Sequence, residues 1–161
     1  MPESLDEAAI IQYVTQNLGG VDVVESTGDS FFFYDPGHGL PVDRRFPFAT
    51  LVADDNYDDA SNLKRPGVFR LNVGVSRETF RSLFGAETPS TEATGDGPDA
   101  AHDFTALDRI MPHPVYGNMH WVCVLNPSPE TFATVQDLLA EAHSRSARTY
   151  ERSHPANDPP A

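Results

Sequence analysis

The segment Val68–Val75, VFRLNVGV, sets Phe69, Leu71, Val73 and Val75 against Arg70, Asn72 and Gly74 in strict alternation. Successive side chains of an extended chain point to opposite faces. The segment therefore reads as a strand in a sheet with one face on an apolar core and the other open to water or ligand. Such a strand needs neighbours on its edges and a layer over its apolar face. Both are legible. VDVVES (Val21–Ser26) and SFFFYD (Ser30–Asp35), separated by Thr27, Gly28 and Asp29, read as a hairpin, followed by a PGHG turn. FPFATLVAD (Phe46–Asp54) and MHWVCVL (Met119–Leu125) read as further strands.

The covering layer comes from three helical patterns. In SLDEAAIIQYVTQNL, Ser4 and Glu7 have capping-box spacing, and Leu5, Ile10, Ile11, Val14 and Leu18 recur on one face before Gly19 and Gly20. Ser76 caps a short helix carrying Phe80 and Phe84. Ser128, Pro129 and Glu130 mark the start of a long final helix with Phe132, Val135, Leu138, Leu139 and Ala142 on one side. The order predicts an α+β fold: a mainly antiparallel sheet with the N-terminal and C-terminal helices packed on one face.

A chain of 161 residues suits one domain, read here as residues 1–152. Residues 86–102, AETPSTEATGDGPDAAH, contain no large apolar side chain to offset their ordering entropy and are expected to form a flexible insertion. Residues 153–161 are expected to be a disordered tail.

Charge restricts the partners. Eleven Lys and Arg against 24 Asp and Glu leave a net charge of −13, and Lys64 is the only lysine. Counterion displacement from nucleic acid needs clustered bases, so neither nucleic acid nor an anionic membrane is an expected partner. No run approaches the roughly 20 apolar residues of a membrane helix, and no basic leader precedes an apolar run at the start, so a cytoplasmic location is expected. Cys123 is the only cysteine, which excludes an internal disulfide and multi-cysteine zinc sites.

The chemistry-bearing residues are few. ADDNYDD begins like a calcium loop at Asp54, Asn56 and Asp58. It then offers Asp59 where the turn wants Gly and Arg65 where a bidentate Glu is needed. His102, His113 and His120 match no zinc spacing, and no phosphate-binding glycine motif occurs, so neither metal nor cofactor is expected. What remains is IMPHPVYGNMHWVCV. His113, Tyr116 and His120 are the candidate acid/base residues, because imidazole exchanges protons near neutral pH and phenol donates a hydrogen bond. Arg65, Arg70, Asn72 and Trp121 are the candidate ligand-binding residues. In this reading Trp121, Cys123 and Leu125 meet the core, and His120 shares the open face with Val122 and Val124. The competing reading has the two histidines and Tyr116 satisfy turn backbone while Trp121 fills the core.

Taken together, the FFFY strand, the PFATLV strand, RPGVFRLNVGVS, HPVYG and the following Trp resemble the family catalogued as domain of unknown function 6194. The likeness spans nearly the whole chain apart from the insertion and the tail. It implies no activity, so Arg65, Asn72, His113, Tyr116 and Trp121 stand as motif positions without roles. The late HW strand running into a C-terminal helix more distantly resembles the YjbR-like domains and their frataxin-like fold, which implies terminal helices packed together on one sheet face. YjbR-like domains are associated with DNA binding, which the charge of −13 opposes here.

Two functions are therefore expected as alternatives. One is a small-molecule-binding domain with scope for cofactor-independent acid/base chemistry of lyase, isomerase or cyclase type. The other is a non-catalytic protein-interaction module. A concave pocket holding both histidines favours the first, and a flat apolar sheet face favours the second.

Overall fold

The structure, a computed structural model, describes residues 6–37, 46–55, 60–84 and 103–153. The proposed insertion, the tail beyond 153, Ser4, His102 and Asn56–Asp59 of the acidic run lie outside these residues. Helix α1 (Glu7–Asn17) is followed by strands β1 (Val21–Ser26), β2 (Asp29–Tyr34), β3 (Ala49–Val52) and β4 (Arg70–Gly74). Helix α2 (Arg77–Phe84), β5 (Met111–Pro112), β6 (Trp121–Leu125) and helix α3 (Pro129–Ser153) complete the order. The six strands form one sheet in the order β1-β2-β3-β4-β6-β5, and every neighbouring pair is antiparallel. The architecture is α+β, as the sequence predicts.

The β1–β2 hairpin closes through Thr27 and Gly28, both with positive φ (52° and 88°). That pairing gives a two-residue turn whose twist matches the strands it joins. Helix α1 is capped by Asp6, whose carboxylate accepts from Ala9 N at 2.8 Å, so the stop signal for the preceding chain is Asp6 and not the Ser4 of the expected capping box. The caps of the other two helices are the expected ones. Ser76 Oγ accepts from Thr79 N at 3.1 Å, and Ser128 Oγ accepts from Thr131 N at 3.2 Å.

One face of the sheet carries all three helices. Ile10 and Val14 of α1, Phe80 of α2 and Phe132, Val135 and Leu139 of α3 pack on Phe32, Leu51, Leu71, Val73, Val122 and Val124. Tyr13 meets Phe132 edge-on at 5.4 Å, which joins α1 to α3. Burial of each such side chain contributes about 1.5–3 kcal/mol.

The assignment of β6 differs from the expected one. Val122 and Val124 face the helices, and Cys123 and Leu125 lie on the other side in a second, smaller core with Val52, Leu63 and Met111. Alternation separates the faces of a strand without saying which one the helices take. Here the slim β-branched pair allows close helix packing, while the indole of Trp121 lies over Gly74 of the neighbouring strand. The second face is also less open than the pattern of Val68–Val75 implies. Val68 and Phe104 pack against the smaller core from the chain before β4 and before β5. Arg70 and Asn72 are each only 3% exposed. Strand β5 has no counterpart among the expected strands, because two residues are too few to show a period.

Helix α2 is fastened to α3 by one carboxylate. Glu141 accepts from Ser76 N at 2.9 Å and from the Thr79 hydroxyl at 2.6 Å. Burial by itself would push this carboxyl up, but the hydrogen bonds from Ser76 and Thr79, with Arg145 nearby, outweigh it and hold the group below the usual carboxylate range. A depressed carboxyl stabilises the fold above the unfolded value of about 4.3 and ceases to do so as pH falls through the folded value. Glu141→Ala should therefore cost about 1–3 kcal/mol at neutral pH in urea unfolding. Glu141→Gln should flatten the acid limb of the stability profile. A Gln variant with the wild-type acid limb would assign that limb to other carboxylates.

Candidate functional site

The second face of the sheet, opposite the helices, holds most of the candidate binding residues. One cross-strand row runs Val24, Phe31, Thr50, Asn72, Cys123 and Met111 through the pairing of all six strands. Its centre is polar. Asn72 Nδ2 donates to Thr50 Oγ1 at 2.9 Å, Asn72 Oδ1 accepts from Arg70 Nε at 3.0 Å, and Arg70 Nη1 donates to Ser61 Oγ at 3.0 Å. A buried guanidinium is tolerated only where such partners replace its water. The ladder thus fixes the Asn72 amide in one orientation.

Trp121 closes the row beyond. It pairs with Gly74, two residues along β4 from Asn72, and its Cε2, Cζ2 and Nε1 lie 2.9–3.1 Å from where a Cβ on Gly74 would sit. The absence of a side chain at Gly74 is what lets the indole lie flat on the sheet. Trp121 and Thr50 are half-buried. Among the described residues no acceptor meets the Trp121 Nε1–H, the Thr50 hydroxyl hydrogen or the second Asn72 amide hydrogen. Phe31 and Phe33 stand on the same face to one side, half-buried, since Phe32 and Tyr34 turn to the helices.

The other candidates are placed differently. Arg65 donates to the carbonyls of Asn62 (2.9 Å), Ser61 (2.9 Å) and Thr105 (3.0 Å), so it ties the loop before β4 to the chain before β5. His113 is 6% exposed, and its Nδ1 accepts from both Val115 N and Tyr116 N at 3.0 Å. Those two bonds fix its tautomer and cap the turn between β5 and β6. Its ring lies 5.1 Å from that of Tyr116, which is half out in solvent. His120 takes a left-handed conformation (φ 70°) at the corner before β6, and its ring meets Phe80 of the helix side at 5.5 Å. The structure thus brings Arg70, Asn72 and Trp121 to one face and His113 and Tyr116 to one turn, and sets His120 against the helices.

Thr50, Ser61 and Gly74 were missed as site residues. Thr50 left a faint signal, as the polar residue between Ala49 and Leu51 on what becomes the same face as Asn72. A separate groove of about 300 Å³ opens beside the start of α1 and the end of β3, lined by Glu7, Asp54, Lys64 and Val68 among others. Burial pushes the Glu7 carboxyl up, and Asp29 and Asp6 add to the effect. Among the described residues, no three His, Cys, Asp or Glu side chains gather to hold a metal ion, and no helix is long and apolar enough to cross a membrane.

Comparison with known protein families finds a match to a family of unknown function, DUF6194, over residues 5–155. No curated protein matches the chain. No solved structure matches it either, and the likeness to YjbR-like domains stays one of pattern.

Proposed function

The chain belongs to the DUF6194 family, and from that premise we propose that it is a small-molecule-binding domain whose site lies on the sheet face opposite the helices, at Thr50, Asn72 and Trp121. The observation that carries this reading is the set of three spare hydrogen-bond donors held over one stretch of β3 and β4. Buried polar groups in a finished core find partners. Donors left over beside a half-exposed indole are what a ligand site requires. Arg70 belongs to the floor of this site and acts through Asn72. His113 and Tyr116 shape the adjoining turn, so the acid/base part of the expected function has less support than binding. Independence from nucleic acid remains part of the same proposal, on charge alone.

A second reading, the non-catalytic interaction module, draws on the β5–β6 turn, where Tyr116 is 51% and Met119 64% exposed beside an exposed Val115. Its partner would be a basic protein with an apolar contact patch, since a charge of −13 steers such a partner in and repels a second copy of this chain.

Equilibrium dialysis against a deproteinised cell extract, followed by native mass spectrometry, separates the two. Wild type should emerge with a bound small molecule that Trp121→Ala fails to retain, while Met119→Glu retains it. Uptake that is absent from wild type, or unchanged in folded Trp121→Ala, would contradict the binding site proposed here.

A further inference from the structure

The two edges of the sheet are unlike. Strand β5 closes one edge with two residues, one of them Pro112, while β1 forms the other with six residues in unbroken register with β2. Short length and proline are common ways to shield an edge, because an open one offers its main-chain groups to any extended chain. The β1 edge has neither device.

The hairpin geometry says which groups this edge offers. Residues that flank a two-residue turn exchange both main-chain hydrogen bonds, so Ser26 pairs in this way with Asp29 and the pattern alternates from there. Val24 and Asp22 come next in phase. The bond from Asp35 N to Gly20 O at 2.9 Å continues the same alternation. Val21, Val23 and Glu25 therefore turn their N–H and C=O groups outward, and among the described residues nothing meets them.

Side chains and charge identify the occupant. Val21 and Val23 pack toward the helices, so Glu25 stands on that side beyond them, and Val24, 39% exposed, stands on the other. The chain carries eight Asp and Glu and no Lys or Arg before Arg44, a stretch that includes all of α1, β1 and β2. Pairing two such edges would set acid against acid, so a second copy of this chain is disfavoured. A strand with a base opposite Glu25 gains where the copy loses. We propose that the outer edge of β1 takes an extended basic segment of a partner protein as a further strand, held by the main chain of Val21, Val23 and Glu25 and by a Lys or Arg opposite the Glu25 carboxylate. The edge lies two strands from Thr50 on β3, so this partner surface is independent of the binding site above.

The test uses the full chain and two peptides with blocked ends, Thr-Lys-Val-Thr-Lys-Val-Thr and the same sequence with Glu for Lys. Paired antiparallel with the middle Thr opposite Val23, each places its first charged residue opposite Glu25 and its first Val beside Val24. Amide hydrogen exchange read by NMR should slow at Val21, Val23 and Glu25 in millimolar lysine peptide. Asp22, Val24 and Ser26, already paired to β2, should change little. The lysine peptide should bind at least about fivefold more tightly than the glutamate peptide, and Glu25→Lys should bring the two within about twofold. N-methylation of the middle Thr removes the N–H that meets Val23 O and should weaken the lysine peptide about five- to tenfold. No slowing at the three outward amides, equal binding of the glutamate peptide to wild type, or equal binding of the N-methylated peptide would each overturn the proposal. Slowing without peptide that grows with protein concentration would also overturn it, by making the edge an interface between copies.

Discussion

Replacing Arg70 by Ala should cost about 3 kcal/mol or more, the largest loss expected from any single change on the second face. Arg70 is buried, and its removal strands Asn72 Oδ1 and Ser61 Oγ, its acceptors at 3.0 Å each. An acceptor left buried without a donor costs about 1–3 kcal/mol. The lost packing of the aliphatic stem adds to this. Arg70→Met restores the stem alone and should recover only part of the loss. Urea unfolding of the three proteins measures the difference. A loss under about 1 kcal/mol for the Ala variant would mean that the ladder from Ser61 to Thr50 is not a fixed unit, and the orientation of the Asn72 amide would lose its cause.

Gly74→Ala should be nearly as costly, and it has an optical signature. The added methyl would meet Trp121 Cε2 at 2.9 Å and Nε1 at 3.1 Å. Contacts this short cannot persist, and β4 is held on both sides by β3 and β6, so the indole is the part that must move. Overpacking of this kind costs about 1–3 kcal/mol. Turning the indole off the sheet exposes it to water, so the emission of the sole tryptophan should shift to the red. An Ala variant of wild-type stability and unchanged emission would show that the indole does not depend on the bare backbone of Gly74.

Why the fold was legible and the site only in part follows from what a sequence pattern encodes. Periods of 3.6 and 2 mark helices and strands, so Glu7–Asn17, Val21–Ser26 and Pro129–Ser153 fall within a few residues of their expected places. The polarity of Arg70 and Asn72 marked them as facing away from the apolar core, and they do. Their burial was not legible, because alternation shows which face of a strand a residue takes and not what packs over that face. The side of β6 that meets the helices was misjudged for a related reason. Bulk argued for Trp121 in the core, but the space for its ring is provided by Gly74, a residue paired with it only through the sheet. The two histidines looked like a pair because Pro112, Pro114 and Gly117 surround them with turn signals. In the structure the turn uses His113 as its cap and places His120 at a left-handed corner, where the ring falls on Phe80.

The proposed binding site is tested most directly by where small molecules touch this protein. A fragment library of mixed charge and shape, read by NMR on the isotopically labelled full chain, maps that contact without a prior choice of ligand. The largest shifts should coincide at the Trp121 indole, the Asn72 side-chain amide and the Thr50 methyl, and should disappear together in Gly74→Ala. Shifts gathered around Lys64 and Val68 in the separate groove, or on Tyr116 and Met119 at the β5–β6 turn, with Trp121, Asn72 and Thr50 unmoved, would contradict it.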